Sequence, residues 1–421
     1  MEPRKLSFIA LIAYLKRAIL QMTDPRQASN GRKYSLNDAV LAAFSLFFMQ
    51  SASFLEHQRH MDSNHGKSNA QTLFGMIKIP TVPQIRNILD GISPTALSSV
   101  FNWVYQDLKQ EGHLKPFEYL DGILIALDGT QYFASQKLNC KGCSSRTHKN
   151  GTVTFFHGAI LPVIVAPGQS QVISLAPEFI TPQDGHEKQD CEVAAAKRWL
   201  KTHASEFKGQ AITLLGDDLY SHQPMCQDIL AVQMDFIFTC LPTSHPALDD
   251  WLEYLDRIGD VKTLEVKLWH QNSRQIYHYR YVNGVPLRDS QPSMLVNWCE
   301  LLLTRESDGK ILYTNTFITS HELTEQSVSL VTEAGRCRWK TENENHNVLK
   351  TKGYHLEHNF GHGQEHLAAF LLVLNLLAFL FHTVLHLTDL AYQKLRHQRG
   401  TRKGFFQDIL SLTTYLLGSH A

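Results

Sequence analysis

Carboxylates at three places in this chain have the setting that divalent-metal chemistry needs. Leu124-Ile-Ala-Leu-Asp128-Gly-Thr-Gln131 and Ile212-Thr-Leu-Leu-Gly-Asp217-Asp218-Leu-Tyr220 are short apolar runs that stop at acids. A buried central strand reads this way when it delivers an acid to the carboxyl edge of its sheet. The third stretch, Arg338-Trp-Lys-Thr-Glu342-Asn-Glu344-Asn-His346-Asn-Val-Leu-Lys350, reads as helix. Brought together, Asp128, Asp217 and a glutamate of the helix would hold Mg²⁺, which takes oxygen ligands and keeps waters that a phosphate can displace. Two such ions about 3.5–4 Å apart activate an attacking oxygen and stabilise a leaving one in phosphoryl transfer.

Periodicity chooses among neighbouring acids. Asp218 follows Asp217 at a strand end and is expected to face the other side. At 3.6 residues per turn Arg338, Glu342 and His346 share a helix face, Lys350 lies near it, and Glu344 points about 200° away from Glu342. The plain alternative for Glu342 is an i,i+4 surface pair with Arg338, worth a few tenths of a kcal/mol. Further acids lie between Pro182 and Glu192. Asp190 and Glu192 precede the helical run Val193 to His203, where the helix dipole favours them. That explanation suffices, so both are left outside the site.

Holding such residues takes a sizeable fold. A chain of 421 residues with 43% hydrophobic content predicts two or three domains with proper cores. The 40 Lys plus Arg balance 40 Asp plus Glu, so any nucleic-acid footprint must be local. Seven cysteines, an odd number scattered along the chain, and the lack of a convincing signal peptide predict a reducing cytoplasm. Leu367 to Leu387 is long enough to span a membrane but contains Asn375, His382 and His386, which are costly in lipid. A helix buried against the rest of the protein is expected, with no membrane partner.

Residues 1–118 read as helix, with Ser35 and Ser93-Pro94 as start signals. Their Arg4, Lys5, Lys16, Arg17, Arg26, Arg32, Lys33, Arg59, Lys67 and Arg86 could line a DNA path or form an ordinary solvated surface. Residues 119–244 open with three expected strands, Ile123 to Leu127, Val153 to Val165 and Val172 to Leu175. The runs Ala211 to Gly216 and Asp235 to Cys240 then flank a short helix, which makes a parallel crossover unit. Residues 245–320 alternate as an all-β insertion, whose Trp269, His270, Arg274, Tyr277, Tyr279, Arg280 and Tyr281 could stack on bases or simply pack in the sheet. The segment 321–390 returns to the core with one helix from Leu323 through Lys350, and 391–421 is a helical tail. Cys140-Lys-Gly-Cys143, with His148, His157 and Cys191 available, could hold structural Zn²⁺. No second pair stands at standard spacing, however, and free thiols are the expectation.

The order of a strand acid, antiparallel-type strands, a helix, a strand acid, a β insertion and an Arg-Trp-x-x-Glu helix with a following Lys resembles the insertion-sequence transposases of the DDE, RNase H-like type. The resemblance rests on Asp128-Gly-Thr-Gln131, Gly216-Asp-Asp-Leu-Tyr220 and the run Arg336 to Gly363, and spans roughly residues 80–390. It implies an α/β fold: an RNase H-like mixed-sheet catalytic core with an all-β insertion, preceded by an all-α N-terminal domain assigned to DNA binding. It also implies a Mg²⁺- or Mn²⁺-dependent DNA transposase. Asp128, Asp217 and Glu342 would bind two ions and catalyse cleavage at transposon ends, followed by strand transfer into target DNA. Arg338 and Lys350 would neutralise phosphates, Tyr220 or Trp339 would stack on a flipped base, and the chain would act as a homodimer assembled on double-stranded DNA. Lys350 lies eight residues after Glu342 and six after Glu344, which keeps Glu344 as the alternative third acid. The same carboxylates would serve a nuclease that only hydrolyses, and an inactivated copy would bind DNA without cutting it.

Overall fold

The computed structural model describes residues 5–27, 32–182, 188–270 and 273–416, with the side chains of 64 and 188–191 left aside. Arg4 and Asp184 lie outside the described residues. The chain is mixed α/β. Its main sheet is built around Gly122–Ala126, Ile212–Gly216 and Asp235–Thr239, which run parallel. On the other side of Gly122–Ala126 lie Val163–Val165 and then Ile173–Ser174, each antiparallel to its neighbour. Every residue of Gly122–Ala126 and Ile212–Gly216 is buried, which is why these strands read as unbroken apolar runs rather than alternating ones.

The expected strand Val153 to Val165 is two strands. Val153–Ile160 belongs to a separate four-stranded sheet with Gly129–Ser135, Ser144–Thr147 and Glu178–Ile180, while Val163–Val165 belongs to the main one. Pro162 stands at the crossing, where its missing N–H cannot serve a ladder.

The expected all-β insertion differs in two ways. It opens with a helix, Pro246–Ile258, started by its proline and closed by Gly259 in the left-handed region. Its strands Lys262–His270, Ser273–Pro286, Leu295–Arg305 and Ile311–Thr319 extend the main sheet, because Ile311–Thr319 pairs antiparallel with Asp235–Thr239. Tyr279 and Tyr281 are buried there and pack in the core, whereas Trp269 on the outer strand is exposed.

The helical ends of the chain do not stand apart from each other. In Leu36–Phe48 every residue but Asn37 is buried, and the helix lies against Leu367–Thr388, with Phe44 and Phe381 ring centroids 5.3 Å apart. Leu367–Thr388 is long and apolar enough to cross a membrane, yet 89% of its most apolar window is covered by protein. Two of its buried polar side chains are each matched at one atom: Asn375 Nδ2 donates to the Tyr354 carbonyl at 2.8 Å, and the Tyr354 hydroxyl meets His382 Nδ1 at 2.6 Å. Asp90, at the end of the helix Val82–Asp90, accepts backbone N–H bonds from Gln364, Glu365, His366 and Leu367 at 2.9–3.1 Å. One early carboxylate thus gathers the N–H groups of the turn leading into the late helix and of its first residue. The tail helix Arg402–Tyr415 docks through Asn69, whose amide donates to the Thr413 and Leu416 carbonyls.

Candidate active site

Strand register brings the two aspartates together. In the parallel pair, Ile123 stands beside Ile212 and Ala126 beside Leu215. Continuing that offset by two residues sets Asp128 beside Asp217, on adjoining strands about 4.8 Å apart and on the same side of the sheet. Leu127 N–H still bonds the Leu215 carbonyl at 2.9 Å, so the ladder reaches the acids before the strands part. Beyond Gly129 one strand turns into the small sheet, and beyond Asp217 the other enters a 3₁₀ turn. In that turn Asp217 Oδ1 accepts the Leu219 N–H at 3.0 Å.

Asp218 goes elsewhere. Its carboxylate accepts the Leu241 N–H at 2.6 Å and the Ser244 hydroxyl, stapling the turn to the next loop.

The acidic helix is not one continuous α-helix. Val328–Arg336 ends in a turn at Cys337 and Arg338, after which Thr341–His346 forms a π-helical turn followed by Asn347–Thr351. Such wide turns recur at functional sites because they displace side chains from the regular 3.6-residue spacing. Here Glu342 is exposed and accepts from Arg338 at 2.8 Å, while His346 points inward, its Nδ1 3.6 Å from Asp128 Oδ2. Burial, then the charges of Lys350 and Arg338, lower the His346 pKa to about 4, so it faces Asp128 as a neutral ring. Thr341 Oγ1, both side-chain amide atoms of Asn345 and His346 Nε2 are buried without a hydrogen-bond partner among the described residues.

The acids around Asp128 act on its charge. Burial pushes the Asp128 pKa up to about 7, and the charges of Glu192, Asp217 and Glu342 add to the rise while Arg338 opposes it. Of the two helix glutamates, Glu342 is the one whose charge contributes to the rise at Asp128. A pocket that stores this much like charge has the donor set for a divalent cation: hard oxygens, several of them, with little cationic compensation. Among the described residues, Asp128, Asp217 and Glu342 do not all approach within 4.8 Å of one another, and the Glu342 carboxylate leans to Arg338 instead. No family model and no curated protein matches this chain.

Glu192 is the member that sequence reasoning left out. The helix Lys188–His203 starts before it, so Glu192 sits beyond the first turn, where the dipole explanation loses force. It is 3% exposed, and its Oε1 accepts the Gly129 N–H at 2.8 Å. A Cβ on Gly129 would fall 2.4 Å from that oxygen, so glycine is what lets the two meet. The signal was present in the sequence: Glu192, Ala195, Ala196, Trp199 and Leu200 follow the i, i+3, i+4, i+7 stripe of a buried helix face, and the last four are core residues. Glu192→Gln is expected to lower any metal-dependent activity about 10–100-fold, the usual cost of losing a group that orients a ligand. Equal loss on Asp190→Asn, measured in the same assay, would overturn that assignment.

The auxiliary residues fall out unevenly. Tyr220 is fully buried, its pKa raised well above the usual value by burial and then by the charges of Glu192, Asp217 and Asp128. It cannot stack on a base; it packs beneath the acids, where a Cβ on Gly216 would come within 2.7 Å of its ring. Trp339 is 61% exposed beside the cluster. Lys350 pairs with Glu357 at 2.9 Å on the surface. Of the basic residues at the N-terminal end, Arg26 and Arg32 pair with Asp24, Arg17 lies over Trp103 and Arg86 over Phe54, so these four serve the helical layer itself.

Proposed function

We propose that this protein is a DNA transposase of the DDE type, cutting at transposon ends and transferring the freed strand into target DNA. The observation that carries the reading is the strand register that sets Asp128 beside Asp217 at the ends of adjoining parallel strands, with Glu342 on the broken helix near enough for its charge to act on Asp128. The sheet order supports an RNase H-like core: on one side of the acid-bearing strand lie two strands, each antiparallel to the one before, and on the other two parallel strands, the nearer ending in the second acid. Asp128, Asp217 and Glu342 would hold Mg²⁺ or Mn²⁺. When bound, two such ions supply an activated oxygen nucleophile and stabilise the departing oxygen of a phosphodiester.

The chain's own groups prepare that chemistry. Glu192 fixes the Gly129 backbone and with it the direction of Asp128. Arg338 holds Glu342 in place, and neutral His346 closes the inner wall behind Asp128. Exposed Trp339 offers a face on which a base could stack, the solvated alternative to the buried Tyr220. Double-stranded DNA is the substrate in this reading, a homodimer on DNA the working assembly and the cytoplasm its compartment.

The deciding experiment incubates the full chain with duplexes taken from the DNA flanking its own coding region, with and without Mg²⁺. Metal-dependent nicks at fixed end positions and joined products support transposition. Hydrolysis without joining would demote the protein to a nuclease, and binding without cutting in either metal would overturn the enzymatic reading.

The residues around the acids give a finer forecast. Arg338→Ala is expected to reduce cleavage while leaving the slope of log affinity against log salt unchanged, because its guanidinium is committed to Glu342. A phosphate contact would instead flatten that slope by about 0.9. Trp339→Ala is expected to weaken DNA binding by roughly tenfold without disturbing folding, as a lost stacking contact of ~1–3 kcal/mol requires. Titrations at several salt concentrations read both, and unchanged affinity for Trp339→Ala would remove it from the interface.

A further inference from the structure

We infer that Cys140, Cys143, His157 and His362 form a tetrahedral zinc site that ties the small sheet to the segment following the acidic helix. Their donor atoms all lie within 4.8 Å of one another. The two sulfurs are 3.8 Å apart, and His157 Nε2 stands 3.5 Å from Cys140 Sγ and 3.4 Å from Cys143 Sγ. His362 Nε2 is 3.4 Å from Cys143 Sγ, and the two imidazole nitrogens are 3.3 Å apart. A tetrahedral ion with Zn–S of about 2.3 Å and Zn–N of about 2.0–2.1 Å requires edges of about 3.8 Å between sulfurs, about 3.5–3.6 Å between sulfur and nitrogen and about 3.3–3.4 Å between nitrogens. Each class of observed edge falls at or within about 0.2 Å of its required value, the tolerance for a plausible site.

The surroundings are those of a ligand shell. Both rings also have a backbone hydrogen-bond partner, Gly142 for His157 and Gly363 for His362. Metal-bound histidines use their second nitrogen in this way, which fixes tautomer and orientation. Tyr132 stacks on His157 at 5.7 Å, and Phe133 lies 4.4 Å from the His362 ring. His148, the nearest histidine in sequence after the cysteine pair, bonds Thr154 instead.

The donor set chooses the metal. Two thiolates and two imidazoles in tetrahedral array suit zinc, whereas Mg²⁺ takes oxygen, so this site and the carboxylate cluster select different ions. With four protein donors no position is open to substrate, and the role is structural. Its place in the fold says what it would stabilise. Gly129–Ser135 begins one residue after Asp128 and pairs Phe133 with His157, while His362 lies between the acidic helix and Leu367–Thr388. The ion therefore fastens the strand leaving Asp128 to the chain leaving Glu342. None of this depends on what those acids catalyse.

Elemental analysis of the full chain, purified without chelator, is expected to find one zinc per chain. The zinc should persist in Asp128→Asn/Asp217→Asn and fall to background in Cys140→Ser/Cys143→Ser. To separate ligation from folding, His362→Cys provides an independent reading: it should keep the ion. After exchange to Co²⁺ it should show stronger thiolate charge-transfer absorption than the wild type, three sulfurs replacing two. Folded protein that takes up no zinc on dialysis, zinc content that follows the carboxylate substitutions, or a weak six-coordinate Co²⁺ spectrum would each overturn the site.

Discussion

Asp128→Asn, Asp217→Asn and Glu342→Gln are each expected to lower metal-dependent DNA cleavage on the order of 10⁴-fold or more, because groups that act as one unit lose nearly everything when one is removed. Folding and DNA binding should survive, since none of the three side chains carries the core. Their neighbours provide the controls. Glu344→Gln should retain most activity, since Glu342 is the helix glutamate whose charge bears on Asp128. Asp218→Asn should retain chemistry but cost about 1–3 kcal/mol of stability, because its carboxylate is the acceptor for Leu241 N–H and the Ser244 hydroxyl. Cleavage rates for the five variants alongside urea midpoints separate the two kinds of effect. If Glu344→Gln is dead while Glu342→Gln cuts, the assignment within the π-helical turn is reversed.

Without metal, the same acids should make the protein less stable as the pH rises. The Asp128 pKa of about 7 lies above its ordinary 3.8, so between these values the folded state binds more protons than the unfolded chain. The stability that this group contributes is complete below its ordinary pKa and is lost as the pH climbs through about 7. Above that point the folded protein holds an ionised Asp128 against Glu192, Asp217 and Glu342. A divalent cation reverses the balance: it binds the ionised form, releases a proton, and stabilises more at high pH than at low. Thermal melts about one pH unit below and about one above 7, in chelator and in Mg²⁺, should therefore show a metal-induced rise in Tm that grows with pH. Asp128→Asn should be more stable than the wild type at the higher pH in chelator and should lose most of the metal response. An Asp128→Asn protein no more stable than the wild type under those conditions would refute the argument.

What could be read from the sequence follows the range of the interactions involved. Gly122–Ala126 and Ile212–Gly216 were legible because burial on both faces writes itself locally as an apolar run, and the acids at their ends stood out for the same reason. The register that sets Asp128 beside Asp217 was not, since strand pairing is decided between segments some ninety residues apart. The burial of Glu192 was less legible, because the helix begins at Lys188 rather than at the apolar run from Val193, although the apolar stripe it heads speaks for burial. The break at Cys337 and Arg338 and the wide turn after it were hidden by helix-forming residues that suit several helical windings. Cys140 and Cys143 looked short of partners because one of them, His362, lies 219 residues from Cys143.

The packing of Leu36–Phe48 against Leu367–Thr388 sets a schedule for synthesis. The first helix leaves the ribosome more than three hundred residues ahead of its cover, so at ~5–20 residues per second its apolar surface is unmatched for roughly 15–60 s. A polypeptide that stops before the late helix leaves that surface bare, with Asp90 lacking the N–H groups it caps. Prematurely terminated copies are thus expected to be substrates for chaperones and proteases.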